Sequence, residues 1–292
     1  MISPTGLDRP FDLLYTEPVA TPSLPADYRA LYPGDWPMAA HPDRPYIFTN
    51  FAPSRDGRIS FNEPNTLDAS FVTKADPHDR WLMGLLRCRA HAVLVGDNTV
   101  RLELGHVWTP EFIYPPDAVA FADLRRAEGY SPIPKLVILS LTGELDFSEE
   151  RFQNPGMHVI LATTTQGAQH AAAVDLAGQC SATVDVLALG DESVDLHRLA
   201  RLLYSDFGVR HLLCEGGARV FANLLDAGLV DEEFITLCPT FVGRSAEHFR
   251  PSYTEGVAWT PDNAPYSKPV SIHKAGDYIF LRTHCLYPGR AA

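Results

Sequence analysis

Two adjacent glycines, Gly216 and Gly217, separate an apolar run at 211–214 (HLLC) from a stretch in which Val220, Phe221, Leu224 and Leu225 recur at helical spacing. The run reads as a buried strand and the stretch as a helix over 218–227, stopped by Gly228. Residues without Cβ let a ligand touch the backbone, and the helix behind them aims unpaired N–H groups and a positive dipole end at the same place. A pyrophosphate suits such a turn. A plain strand-to-helix reversal also explains it, because the full G-x-G-x-x-G fingerprint is absent. The pattern recurs, however. A strand at 91–95 ends in Gly96-Asp97-Asn98-Thr99-Val100, and one at 135–140 ends in Ser140-Leu141. Three strand ends with small or hydroxyl residues form a constellation suited to a long ligand carrying several phosphates.

The elements that must hold these ends alternate along the chain. Strands are expected at 46–52, 91–95, 135–140, 158–163, 183–187, 211–214 and 233–238. Helices are expected between them, near 118–128, 165–174, 194–207 and 218–227, with a further one opened by Asp76-Pro77. That last helix carries Trp81, Leu82, Leu85 and Leu86 inward and Arg80 and Arg87 outward. Runs at 270–274 and 278–286 around Ala275-Gly276-Asp277 predict a hairpin. The fold class is therefore α/β: a mostly parallel twisted sheet, helices on both faces, and a C-terminal antiparallel hairpin.

Residues 1–44 differ. Eight prolines there argue against a helix or a central strand and for an extended arm, anchored by Phe11, Leu13, Leu14, Tyr15 and Trp36 on the domain or on a neighbouring subunit. A single domain at 45–292 follows the arm. The 292 residues carry a net charge of −12, which argues against a nucleic-acid surface. Five cysteines without a C-x-x-C pair read as free thiols, and no metal site is expected. With neither a secretory signal nor an apolar run near ~18 residues, a soluble cytoplasmic protein without membrane contact is the expectation.

The motifs then meet a family. Asn50-Phe51-Ala52-Pro53-Ser54-Arg55-Asp56-Gly57-Arg58 resembles the N-x-x-x-[ST]-x-D-G-[KR] opening of the riboflavin-biosynthesis pyrimidine reductases, which share the dihydrofolate-reductase fold. Arg89-Ala90 leading to Gly96 and Thr99-Val100 is similar to their R-A-x-x-D-A-[IV]-x-x-G-x-x-T-V segment. Glu215-Gly216-Gly217, Gly228-Leu229-Val230-Asp231-Glu232 and Pro239 to Gly243 resemble their E-G-G, G-L-V-D-E and P-x-x-x-G block. No H-x-E with P-C-x-x-C occurs, so the zinc deaminase half of the bifunctional enzyme is missing.

The resemblance implies an NADPH-dependent reductase, a homodimer, acting on a small molecule by hydride transfer from the nicotinamide. The substrate it implies is 5-amino-6-(5-phosphoribosylamino)uracil or a related pyrimidine or pterin. It maps cofactor contacts onto Gly96, Asp97, Asn98, Thr99, Val100, Ser140, Leu141, Glu215, Gly216, Gly217, Ala218, Arg219 and Val220. Glu215 is expected to bind backbone N–H groups and brace the turn. Substrate contacts map onto Asn50, Ser54, Asp56 and Thr73, with Asp56 also a candidate catalytic acid and otherwise a turn residue. After Thr99-Val100 the family's x-x-D-D-P is replaced by Arg101-Leu102-Glu103-Leu104-Gly105, and Glu103 is expected to stand in for the first aspartate as a catalytic acid, or else to be a solvated loop carboxylate. Arg58, Arg87 and Arg101 are candidates for a phosphate. A non-catalytic nucleotide-binding protein of the same fold is the alternative reading.

Overall fold

The computed structural model describes residues 1–67, 69–174 and 176–289, so the last three residues of the expected 45–292 domain lie outside it. Ten strands make one sheet: β1 (Asp12–Thr16), β2 (Tyr46–Phe51), β3 (Ala92–Gly96), β4 (Lys135–Leu139), β5 (His158–Thr163), β6 (Thr183–Ala188), β7 (His211–Cys214), β8 (Glu232–Leu237), β9 (Tyr266–Ala275) and β10 (Tyr278–Leu286). Their order is β1-β9-β10-β8-β2-β7-β3-β4-β5-β6. The seven strands from β8 to β6 run parallel, and β10, β9 and β1 continue the sheet antiparallel.

Parallel strands need crossovers, and the helices that supply them cover both faces. On one face, helices Pro77–Cys88 and Ala118–Ala127 pack Trp81, Leu85, Phe121 and Leu124 over Phe48, Val93 and Leu213. On the other, Leu196–Ser205 and Ala218–Asp226 pack Leu199, Leu203, Phe221 and Leu224 over Ile47, Leu94 and Leu212. The helix at Pro77 starts as its sequence predicts, since the Asp76 carboxylate accepts from the His78 and Asp79 amides with proline at the first position. The expected hairpin turns at Gly276, where φ is +57°.

Two expectations need correction. Arg87 does not point outward: it is fully buried against the end of β7. The proline-rich segment also contains regular structure, with a six-residue helix at Ala26–Leu31 starting directly after Pro25. Proline is compatible with a helix start, and the seven residues after Pro25 are free of it. Strand β1 is an edge strand paired with β9, a sheet position that tolerates flanking prolines.

The segment lies on its own domain. Phe11 packs edge-on to Tyr32, His78 and Phe280. Trp36 is fully buried, its indole N–H donates to Glu232 at 2.8 Å, and its carbonyl accepts from Arg89 at 2.7 Å. Leu13, Leu14 and Tyr15, by contrast, are exposed. We expect Trp36→Ala to cost about 3–5 kcal/mol in urea unfolding, while Leu14→Ala stays within about 0.5 kcal/mol. Equal midpoint shifts for the two variants would show that the arm is not part of the core.

Candidate functional site

The carboxyl ends of β3 and β7 lie side by side, and glycine decides how closely their turns meet. A Cβ on Gly216 would come within 3.1 Å of Thr99 Oγ1 and 3.3 Å of Val95 Cγ1. A Cβ on Gly96 would come within 3.1 Å of Val220 Cγ2. The turn also bends through Gly217 at φ +72°, a conformation that side chains rarely adopt. Helix Ala218–Asp226 starts here with no side-chain cap, so its first N–H groups are free to meet an anion. Val100 and Ala218 are buried beneath the turns, whereas Asn98 and Arg219 are exposed at the rim.

At the end of β4, the Ser140 hydroxyl donates to Asp97 Oδ2 at 2.7 Å and accepts from the Gly143 amide. It ties two strand ends together. Leu141, next to it, is 56% exposed. Arg101 pairs with Asp97 at 3.0 Å and is not a free cation.

Beneath the Gly-Gly turn lies a buried ionic chain. The Glu215 carboxylate takes a bidentate pair from Arg87, from Nε at 2.9 Å and from Nη2 at 2.7 Å. Both side chains are almost wholly buried. Glu215 therefore braces the turn through a guanidinium and not, as its position in the sequence suggested, through backbone N–H groups. Arg87 Nη1 donates to the Val107 and Thr109 carbonyls, and the second N–H of Nη2 donates to His106 Nε2. Burial, with Arg87 and Arg151 close by, pushes His106 down to about 3. Its ring is neutral, and accepting at Nε2 leaves the proton on Nδ1, 3.2 Å from Glu103 Oε2. Glu103 is thus anchored to the cradle through His106 and Arg87. Spacing held the signal for Arg87. The family pattern places its arginine nine residues before the glycine, which from Gly96 is Arg87 and not Arg89.

The opposite wall comes from β2 and β8. Ser54 to Arg58 form a closed turn: the Ser54 hydroxyl donates to Asp56 at 2.7 Å and accepts from the Arg58 amide. Asp56 also accepts from the Val242 and Gly243 amides at 3.0 and 2.8 Å. Burial opposes its ionisation, but the bonds from Val242, Ser54 and Gly243 outweigh that and hold its carboxyl below the usual range. The geometry makes Asp56 an ionised brace for the 242–243 loop. Thr73 is buried, and its carbonyl accepts from the Tyr278 hydroxyl at 2.7 Å.

Between these walls is a polar row that the sequence did not reveal. Phe48, Phe234 and Leu213 face helix Pro77–Cys88, so two residues further along each strand Asn50, Thr236 and Glu215 face it too. Asn50 is buried, and its amide has no hydrogen-bonding partner among the described residues. Asp79 hangs over the row from the first turn of the helix. It is 3% exposed, and its Oδ1 is sealed from solvent without a partner. Thr236 Oγ1, likewise unpartnered, is close enough to weigh on the Asp79 charge without a hydrogen bond of normal geometry. Burial pushes Asp79 up to about 6; Thr236 and Arg80 oppose the rise, and Asp76 and Glu215 reinforce it. A sequence signal for Asp79 was available only as a charge in the buried first turn of an amphipathic helix, which capping alone explains.

A seven-stranded parallel core continued by antiparallel strands, with an uncapped helix start over a glycine turn, is an α/β architecture of the dihydrofolate-reductase-like class. Residues 45–260 match the RibD C-terminal domain family, and the chain belongs to that family. It is 28% identical over 200 residues to the 2,5-diamino-6-ribosylamino-4(3H)-pyrimidinone 5′-phosphate reductase of Archaeoglobus fulgidus, covering 68% of this chain and 83% of that protein. Among solved structures it resembles a pyrimidine reductase-like protein from Corynebacterium diphtheriae, with TM-score 0.61 and 21% identity over 84% of this chain and 93% of the other. It also resembles Acinetobacter baumannii RibD, with TM-score 0.56 and 19% identity over 84% of this chain. Of that longer chain it spans 59%. The reductase relatives imply a nicotinamide cofactor, and the glycine cradle is the kind of space such a cofactor needs. Among the described residues no helix is long and apolar enough to cross a membrane.

The Asp79 geometry has a measurable consequence. Its folded value of about 6 lies above the unfolded value of about 3.9, so the folded state holds the extra proton between them. Stability that is complete below about pH 4 is lost as pH rises through 6. Asp79→Asn removes this titration. We expect the variant to gain on the wild type by about 2–3 kcal/mol between pH 4 and pH 8 in urea unfolding, with no further gain above. A pH-independent difference would place the carboxyl in an ordinary environment.

Proposed function

We propose that the chain is an NADPH-dependent reductase of a ribosylaminopyrimidine 5′-phosphate, or of a related bicyclic ring, acting on the imine of the opened sugar. The observation that carries this reading is the cradle in which Gly216 and Gly217 meet Thr99 and Gly96 beside a row of buried, unpartnered polar groups. The substrate named for the Archaeoglobus relative supports it. So does the loss of side chains where a dinucleotide would cross two strand ends.

In this reading Gly96, Thr99, Gly216 and Gly217 hold the cofactor by backbone and hydroxyl contacts, with the start of helix Ala218–Asp226 facing its pyrophosphate. Reduced nicotinamide, when bound, supplies the hydride. The protein must then bring the acceptor carbon within about 3–3.5 Å of the donor and exclude water. Asn50 and the closed Ser54–Asp56 turn lie on the substrate side, with Thr73 behind them. Glu103, four residues after Thr99 and held by His106, is the acid assigned to stabilising positive charge on an imine nitrogen. Asp56 carries its charge into three hydrogen bonds and shapes the loop. A homodimer in the cytoplasm belongs to this proposal through the family resemblance.

Purified protein mixed with NADPH and the ribosylaminopyrimidine phosphate should lose absorbance at the nicotinamide band. Tight NADPH binding without oxidation would favour a non-catalytic nucleotide-binding protein instead. We expect Gly217→Val to abolish NADPH binding measured by fluorescence, while circular dichroism shows a retained fold. Unchanged affinity would move the cofactor elsewhere. Thr99→Val is expected to weaken NADPH by about 1–2 kcal/mol, the loss of one hydrogen bond to a charged oxygen, and a titration without loss would take Thr99 out of the site.

A further inference from the structure

We infer that the antiparallel end of the sheet docks a second copy of this chain, sheet against sheet, through an aliphatic patch on β8, β9 and β10. This rests on the homodimer of the proposed reading and gives it an interface. Cross-strand pairing builds the patch. Ile279 pairs with Leu237 on one side and Lys274 on the other, and Leu281 pairs with Ile235 and Ile272. Residues paired across strands share a sheet face, so Ile235, Leu237, Ile272, Ile279 and Leu281 make one contiguous surface. Strand β1 extends it, with Asp12 opposite Lys274 and Tyr15 opposite Ile272.

In a sheet otherwise covered on both sides, this surface is the exception. Phe234, Ala275 and Phe280 alternate with the patch residues along their strands, point to the opposite face, and belong to the core shared with Trp81 and Leu85. On the patch side, helices Leu196–Ser205 and Ala218–Asp226 cover Ile47, Leu94 and Leu212. Phe51 on β2, the neighbour of Ile235, still packs against Phe221 and Tyr253. The five aliphatic residues beyond it are half-buried and belong to neither core. One row further along, the face is closed again, since Thr283 donates to Glu233 at 3.0 Å and both are buried. Contiguous apolar surface bounded by polar residues marks an interaction site, unlike apolar residues scattered singly.

Charge and size select the occupant. The chain carries a net charge of −12, so copies of it repel over most of their surface. The patch is neutral: its rim holds one exposed acid and one exposed base, Asp12 and Lys274, and neither is in an ion pair among the described residues. An acidic or basic partner gains little from such a rim. A second copy brings an aliphatic centre and both signs at once, which is self-complementary about a twofold axis. Four strands spaced about 4.8 Å apart span roughly 19 Å, the width of an apolar interface centre. A stable pair needs about 800 Å2 on each side. Exposed Leu14 and Tyr15 on β1, and Phe241 four residues beyond Leu237, add apolar area at the two ends. Sheets packed face to face about 10 Å apart are a standard way to bury such surfaces. Leu237 also leads into the loop that Asp56 holds at Val242 and Gly243, so a partner here steadies that wall of the cleft.

Sedimentation equilibrium of the full chain tests this. The wild type should have twice the 32.2 kDa mass of one copy. Leu281→Arg puts a charge at the centre of the patch, and a twofold interface meets that charge twice. Its dimer Kd should rise by about 1000-fold. Ile272→Glu, on the neighbouring strand, should act in the same way. Val119→Arg, at a 63% exposed position on the helix Ala118–Ala127, should leave the dimer intact. Circular dichroism and urea midpoints show whether each variant is folded. A monomeric wild type overturns the inference, and so does a dimer that survives both patch variants in folded form.

A second measurement needs no variant. Isotope-labelled and unlabelled wild-type chains are mixed, exchanged and treated with a short amine-to-carboxyl cross-linker. Mixed-isotope peptides containing Lys274 should appear, because its rim position brings it against the second copy. Intermolecular links confined to surfaces away from β1, β8, β9 and β10 overturn the inference even if both patch variants fail to fold. Neither readout depends on turnover. A patch-dependent dimer that oxidises no NADPH keeps the interface while the reductase reading fails, and an active monomer does the reverse.

Discussion

A guanidinium and a carboxylate taken out of water together are the constraint around which the site is built. Arg87 and Glu215 join the last turn of helix Pro77–Cys88 to the end of β7, and both are nearly sealed. Two such charges cost several kcal/mol each to desolvate, and only good geometry with every remaining donor used offsets that cost. Arg87 meets the condition: a bidentate grip on Glu215, two backbone carbonyls and the His106 ring. The pair holds the Gly-Gly turn in place from below. A turn that must stay open to a ligand from above cannot be held by side chains on that side.

The same pair organises the acids. Glu215 is neutralised locally by Arg87, which removes the repulsion that a free carboxylate beside a phosphate would bring. Glu103 is drawn toward the same centre through a neutral His106. Asp56 is ionised and fully engaged with the 242–243 loop. Asp79 is the opposite case, with burial raising it and too few partners to lower it. Asp56 and Asp79 are thus pushed in opposite directions by what surrounds each of them, the separation on which acid and base roles depend.

The N-terminal segment adds to this frame from the other side. Trp36 bonds to Glu232 on β8, Glu232 is paired with Arg282 on β10, and the Arg282 guanidinium also donates to the Asp35 carbonyl. Phe11 closes the helix that carries Asp79 and Arg87 by packing on His78 and Trp81. Proline density hid a short helix and an edge strand. The arm is therefore part of the core that supports the candidate site.

Much of the fold was legible because local chemistry and burial agree: the runs at β3, β4, β5 and β7 have continuous apolar centres since both sheet faces are covered, and the helices show one apolar stripe. The glycine turns and the strand-end hydroxyls were legible for the same reason, as residues whose special backbone or polar needs show in their type. What the chain folded around them was not. The outward reading of Arg87 failed because a helix period assigns a charge to solvent unless a partner is known, and that partner is 128 residues away. Sequence alone determined the order of strands and helices and where small residues interrupt it, since these depend on neighbours along the chain. Only the tertiary structure decided that Arg87 is sealed, that Glu215 is paired and that Asp79 carries an unmet hydrogen-bonding need, because burial and charge are set by groups that meet only when the sheet closes.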